Sequence, residues 1–115
     1  MSQSPITTHI LDTHRGRPAV GVAVTLEALD PDGRAQALGS GVTNEDGRVT
    51  DLLSPGALRV GNYRLRFAVG AYFAALDTPT FYPEVDLTFR VDRPEEHYHV
   101  PLLLSPFGYT TYRGS

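Results

Sequence analysis

The stretch His97-Tyr98-His99-Val100-Pro101-Leu102-Leu103-Leu104-Ser105-Pro106-Phe107-Gly108-Tyr109-Thr110-Thr111-Tyr112-Arg113-Gly114-Ser115 decides the reading of the whole chain. At the two-residue period of a strand, Tyr98, Val100, Leu102 and Leu104 share one face and form a core row. His97, His99, Pro101 and Leu103 share the other, and a merely solvated face would not carry that mixture. Ser105-Pro106-Phe107-Gly108 is a turn by composition, and residues 109–113 form a second strand-like run. Aromatic and β-branched residues continue almost to the last position, so these residues belong to the folded body rather than to a fraying end. Pro101 has no N–H to donate and suits a central strand poorly, which predicts a local gap or bulge beside His99.

Outward from this hairpin, the same alternation recurs. Residues 6–12 read as a strand with Thr7, His9 and Leu11 on one face and Thr8 and Ile10 on the other. Residues 13–18 are a polar turn. Residues 20–29 form a long strand with Val20, Val22, Val24, Leu26 and Ala28 on one face. Asp30-Pro31-Asp32-Gly33 is a turn in which Pro presets φ and Gly supplies φ > 0. Residues 36–43 are a weaker strand. Asn44-Glu45-Asp46-Gly47 is a second tight turn, delivering Arg48 to the start of a strand over 48–53. Residues 62–69 and 84–91 alternate cleanly, with Arg64 and Arg66 outward on the first and Glu84, Asp86 and Arg90 outward on the second. If these two strands pair, the opposite charges neutralise one another across the ladder. Residues 70–77 are the one helix candidate, without a strong cap and so dependent on packing. About eight short strands with regularly spaced turns and one short helix predict an all-β fold, an antiparallel sandwich, in a single domain over 1–115.

Composition narrows the chemistry. A net charge of −3 argues against nucleic acid, whose binding modules present a basic face. No apolar run is long enough to span a bilayer. The first residues lack the basic and apolar regions of a secretory signal, so a cytoplasmic location is the default expectation. The chain has no Cys, which removes disulfides, thiolate nucleophiles and Cys-ligated zinc. All ten basic residues are Arg, which removes Lys Schiff bases. Four His, the carboxylates and the tyrosines remain for acid–base work: His9, His14, His97 and His99.

Three blocks carry a resemblance that covers nearly the whole chain. They are Thr8-His9-Ile10-Leu11-Asp12, Thr43-Asn44-Glu45-Asp46-Gly47-Arg48, and the His97–Leu103 run with the closing Tyr112-Arg113-Gly114-Ser115. In that order they resemble the 5-hydroxyisourate hydrolases, transthyretin-like enzymes of urate breakdown. The resemblance implies two four-stranded sheets with one short helix, and a homotetramer built as a dimer of dimers with sites at the mouths of a central channel. An outer face bearing Leu11, Pro101 and Leu103 beside imidazoles also reads as a surface that packs on another subunit. The implied reaction is hydrolytic opening of the six-membered ring of 5-hydroxyisourate to a ureidoimidazoline carboxylate. It needs a base near neutrality, donors for an oxyanion and clamps for a flat polar substrate.

The resemblance assigns His9 and His99 to activating and steering water, leaving open which takes the proton. Arg48 becomes a substrate-binding and catalytic group with planar donors, and Tyr112, Arg113 and Ser115 close the pocket. No metal or cofactor is required, since imidazole alone can generate the nucleophile.

Each residue has a plainer reading. A lone His on a strand is ordinarily structural or solvated. Arg48 after a Gly turn is ordinarily a strand-end charge, and Tyr112 an interface aromatic. His14 sits in a turn, exposed, and His97, nearer the loop, is left outside the site. Two rival functions stand beside the hydrolase. One is a transthyretin-type carrier of a small ligand, whose members lack the paired His and the Tyr-Arg-Gly-Ser ending. The other is a metal site from His97, His99 and His9.

Overall fold

Alternating apolar and polar residues build two sheets whose apolar faces meet. The computed structural model describes residues 4–115. In chain order the elements are β1 (Ile6–Asp12), β2 (Arg17–Pro18), β3 (Ala23–Leu29), β4 (Ala35–Val42), β5 (Arg48–Val49), β6 (Gly61–Phe67), α1 (Val69–Ala74), β7 (Val85–Val91), β8 (Tyr98–Ser105) and β9 (Gly108–Thr111). One sheet runs β2-β1-β8-β9 and the other β4-β3-β6-β7. Strand β5 is a fifth member of the first sheet, but that sheet is still four strands wide. Both β2 and β5 flank β1, β2 at Leu11 and Asp12, β5 at Thr8 and His9. The sandwich of two sheets and a short helix expected from the sequence is therefore present, with one difference in strand direction. Strands β1 and β8 pair in parallel, from Ile6↔Tyr98 to Asp12↔Leu104. A parallel pair needs a long crossover, and here the entire second sheet and the helix supply it.

The core lies between the layers. Ile6 and Ile10 of β1, Val24 and Leu26 of β3, Leu65 and Phe67 of β6, and Leu102 and Leu104 of β8 are each at most 1% exposed. The expected inward row of β8 is correct throughout, since Tyr98 and Val100 are also buried. On the outer face of the second sheet, Arg66 faces Asp86 in register and also reaches Glu84 at 3.0 Å. Glu27 of β3 joins this network through Arg64 at 2.8 Å, so the charges balance across three strands rather than two.

Several boundaries differ from the sequence reading, each for a local reason. The strand expected from residue 20 begins at Ala23, and Val20 is 50% exposed. Gly21 adopts φ +86°, which breaks the alternation between Val20 and the buried Val22. Buried Thr43 then staples the entry, accepting from the Val22 N–H and donating to the Ala19 carbonyl. The strand expected over 48–53 stops at Val49. Beyond it, the backbone turns to Ser4, whose N–H donates to the Thr50 carbonyl and whose hydroxyl accepts from the Leu53 N–H. The helix occupies Val69–Ala74 rather than 70–77 and has no side-chain cap; it buries Val69, Tyr72 and Phe73.

That helix fixes the end of β1. Asp12 is fully buried, and its Oδ1 accepts the N–H groups of His14 and Arg15, each at 3.0 Å. Its Oδ2 accepts the Tyr72 hydroxyl at 2.7 Å. Burial, then the bond to Asp12, raises the pKa of the Tyr72 phenol, so it stays a donor across the working range. The turn over 13–16 is thus tied to the helix through one carboxylate. Tyr72→Phe leaves Asp12 a lone pair short of a donor in a buried site and should cost about 1–3 kcal/mol. A lowered urea midpoint with an unchanged m-value is the expected readout; an unchanged midpoint would mean the bond carries no stability.

Candidate active site

Strand register decides which side chains share the outer face of the first sheet. In the parallel ladder, Thr7 lies opposite His99, His9 opposite Pro101, and Leu11 opposite Leu103. In the antiparallel β1–β5 pair, His9 lies opposite Arg48. One row across the sheet is therefore Arg48, His9, Pro101, and the next is Thr7, His99, Gly114, the last through a bridge between His99 and Gly114. His9 and His99 are diagonal neighbours on one face. Strand spacing and rise put their Cα atoms about 8 Å apart.

Arg48 is placed by its turn. The Asn44 side chain accepts the backbone N–H groups of Asp46 and Arg48, and the Gly47 N–H donates to the Asn44 carbonyl. Gly47 has φ +75°, and a Cβ there would lie 2.5 Å from the Ile10 carbonyl oxygen. Only glycine lets this turn press against β1, and that approach sets Arg48 beside His9. The guanidinium itself is exposed.

His99 is half-buried and held on two sides. Its Nδ1 lies 2.8 Å from the Thr7 hydroxyl, and the same hydroxyl lies 2.9 Å from Nε2 of His97. Thr7 is only 5% exposed although it sits on the outer face, because the two imidazoles cover it. From the other side Gly114 closes over the ring: its N–H donates to the His99 carbonyl at 2.8 Å. A Cβ at Gly114 would stand 2.7 Å from Cδ2 of His99 and 3.1 Å from Cγ of Pro101. Burial lowers the pKa of His99, and the positive charge of Arg48 and the neighbouring His9 and His97 lower it further. The neutral imidazole, the form that accepts a proton, is therefore favoured.

The gap expected at Pro101 exists without a bulge. β9 pairs with β8 from Ser105↔Gly108 to Leu102↔Thr111, and the His99↔Gly114 bridge resumes in the same register three residues later. The Thr111 hydroxyl donates to the Pro101 carbonyl at 2.7 Å inside the break.

The structure thus brings His9, His99 and Arg48 to one face and adds His97, which the sequence reading left out, and Thr7, which it put on the face of His9 without a role. Arg113 is not brought there. Neighbouring positions of a strand face opposite ways, so Gly114 meets His99 while Arg113 turns to the other side. Its guanidinium carbon lies 4.3 Å from the Tyr98 ring centroid, and Nη2 lies 3.1 Å from Glu96. Tyr112 and Ser115 are exposed, and His14 is exposed in its turn as expected. A groove of about 670 Å³ opens on Arg113's side, between β7 and the tail, lined by Phe89, Tyr98, Val100, Arg113 and also Tyr112. It contains none of His9, His99 or Arg48.

Comparisons with known proteins bear on this face. The 5-hydroxyisourate hydrolase of Salmonella typhimurium is 46% identical over 110 residues, covering 96% of this chain and 80% of the relative. The solved structure of Klebsiella pneumoniae 5-hydroxyisourate hydrolase superposes with a TM-score of 0.83 at 35% identity, covering 99% of this chain and 100% of that one. Sea bream transthyretin in complex with thyroxine superposes with a TM-score of 0.89 at 33% identity, covering 96% and 94%. The model of the HIUase/Transthyretin family matches residues 6–114, so that both sheets and the imidazole face lie within the match, and the chain belongs to that family.

Proposed function

We propose that this chain is a 5-hydroxyisourate hydrolase whose working groups are His9, His99 and Arg48. The observation that carries the reading is their convergence on one sheet face, with His99 kept neutral beside the guanidinium. The hydrolase relatives, at 46% identity for the Salmonella typhimurium protein, support the activity over the thyroxine-binding relative at 33%. Fold alone would not separate the two.

The chemistry follows from these groups. An imidazole takes a proton from water, the oxygen attacks a carbonyl carbon of the six-membered ring, and the C–N bond breaks as the ring nitrogen receives a proton. Arg48 offers planar donors to a carbonyl edge and to the charge that develops on it. His9, one row from His99, steers the water or the substrate. Tyr112 and Ser115, exposed on either side of Arg113 and Gly114 in the tail, would close over the bound substrate. Arg113 serves at one remove: held by Glu96 and Tyr98, it anchors the tail so that Gly114 stays against His99. No metal or cofactor enters this scheme.

In a single chain the imidazole face is an open sheet surface, from which water is poorly excluded. Leu11 and Leu103 are partly buried there, and Phe107 in the adjoining hairpin turn is 69% exposed. Such a face is better covered than solvated, which supports a homotetramer in which a second subunit completes the cleft. Sedimentation equilibrium should return four chains per particle; a monomer that retains full turnover would remove this part of the reading.

Turnover is followed by the ultraviolet decay of freshly generated 5-hydroxyisourate. His9→Ala, His99→Ala and Arg48→Ala should each lower kcat/KM by ~10²-fold or more while leaving circular dichroism unchanged. Decay no faster than the spontaneous rate with the intact protein would leave the carrier reading standing.

The lowered pKa of His99 keeps the base unprotonated further into acid, so the acid limb of kcat/KM should lie below that of an ordinary His. Arg48→Met removes one of the charges that depress it, so the His99 pKa rises and the limb should move to higher pH. A limb that stays in place, or moves down, would dissociate Arg48 from the base.

Gly114→Ala should cut kcat about tenfold or more by displacing the imidazole, with thermal stability little changed. Wild-type turnover in that variant would show the roof over His99 to be slack.

A further inference from the structure

The hydrogen bonding around His99 extends past the groups assigned so far. A threonine hydroxyl has one hydrogen to give. Thr7 Oγ1 lies within bonding distance of two imidazole nitrogens, Nδ1 of His99 at 2.8 Å and Nε2 of His97 at 2.9 Å. Thr7 Oγ1 could accept from both rings, but its own hydrogen would then have no acceptor among the described residues. With every partner satisfied, the chain between neutral imidazoles runs one way at a time, and the tautomer of one ring sets that of the other. Either His99 Nδ1–H donates to Thr7 and Thr7 donates to His97 Nε2, or both bonds are reversed. The first direction leaves Nε2 of His99 as a bare lone pair; the second leaves it carrying hydrogen. Nε2 of His99 has no protein partner among the described residues and is not a buried unsatisfied atom, so it opens to the outer face. His97, at the far end of the chain, is exposed.

We propose that Thr7 is a positioning residue that joins His99 to His97 in one hydrogen-bond chain. At rest the chain directs the bare Nε2 of His99 at the attacking water, and it then passes the proton outward to His97.

The step balances without any further reactant. Nε2 of His99 takes a proton from water as the oxygen bonds to the ring carbonyl carbon. The Nδ1 proton of His99 moves to the Thr7 oxygen, and the Thr7 proton moves to Nε2 of His97. His99 ends neutral with its tautomer exchanged, and His97, already holding a proton on Nδ1, ends as imidazolium. The N–H now on Nε2 of His99 is placed to protonate the departing ring nitrogen, after which the chain runs back.

The arrangement answers a difficulty in the site. Half-burial disfavours a cation on His99, and the basic groups facing it, Arg48 from β5, His9 from β1 and His97 from the approach to β8, add to that effect. A cation on His99 is poorly tolerated there, whereas one passed to His97 is hydrated, because that ring is exposed. The second bond also gives buried Thr7 a use that packing alone does not explain.

The proposal rests on His99 as a working imidazole, and the test separates the two. Thr7→Val keeps the shape of the side chain and deletes the hydroxyl; Thr7→Ser keeps the hydroxyl. In the intact protein labelled with ¹⁵N-histidine, neutral His99 should be chiefly the Nδ1–H tautomer, against the Nε2–H form that free imidazole side chains favour in water. Thr7→Val should revert it to Nε2–H and lower kcat ~10-fold or more, with KM within about twofold, while Thr7→Ser restores both the tautomer and the rate. His97→Ala should lower kcat comparably, and the Thr7→Val, His97→Ala double variant should be no slower than the slower single, since both break one chain. Wild-type kcat in folded Thr7→Val, a tautomer unmoved by it, or losses that multiply in the double variant would overturn the proposal. Full turnover in His99→Ala would instead bring down the catalytic reading on which it stands.

Discussion

The parallel ladder between β1 and β8 is the constraint on which the rest depends. It joins the first strand of the chain to the last long one, and its register alone decides that Thr7 meets His99 and His9 meets Pro101. Side chains alternate across a strand, so a slip of one residue would turn either imidazole into the sandwich. The core prevents that slip. Ile6 and Ile10 on β1 and Leu102 and Leu104 on β8 fill the space between the sheets, and none could face water without loss of that burial. The outer face is placed by what is packed on the inner one.

Around this ladder the site is assembled from short, geometrically demanding pieces. A glycine turn pressed on Ile10 carries Arg48 to His9, and a glycine in the tail lies against the His99 ring. Arginine and imidazoles then crowd the half-buried His99 ring, which makes a lasting charge on that ring unfavourable. The tail divides its labour by parity. Gly114 touches the imidazole, while Arg113 on the reverse side pairs with Glu96 and stacks on Tyr98. An exposed ion pair of that kind is worth little by itself; its use lies in where it holds the backbone.

Much of this was legible in the residues. The two-residue period separates His9 from Ile10 and His99 from Val100, and the Asn-Glu-Asp-Gly turn announces that Arg48 begins a strand. Alternation also contained the fate of Arg113, since placing Tyr112 and Gly114 with His99 sends the residue between them to the other face. Reading Tyr-Arg-Gly-Ser as one unit obscured that. Thr7 and His97 were harder. A hydroxyl on a strand has no spacing that marks it, and its importance appears only when the parallel register sets it opposite His99. Strand direction was illegible for the same reason, because periodicity carries no sign. Val20 misled because a glycine with positive φ restarts the alternation after it, and residues 50–53 because Ser4 outcompetes a ladder for their backbone.

A crystal soaked with a stable, non-hydrolysable urate analogue tests the central claim most directly. The account predicts the flat ring lying over the β1–β8 face, within hydrogen-bonding reach of His9 and Nε2 of His99, with Arg48 at a carbonyl edge. Density for the analogue in the groove beside Phe89 and Tyr98, with the imidazole face empty, would contradict it.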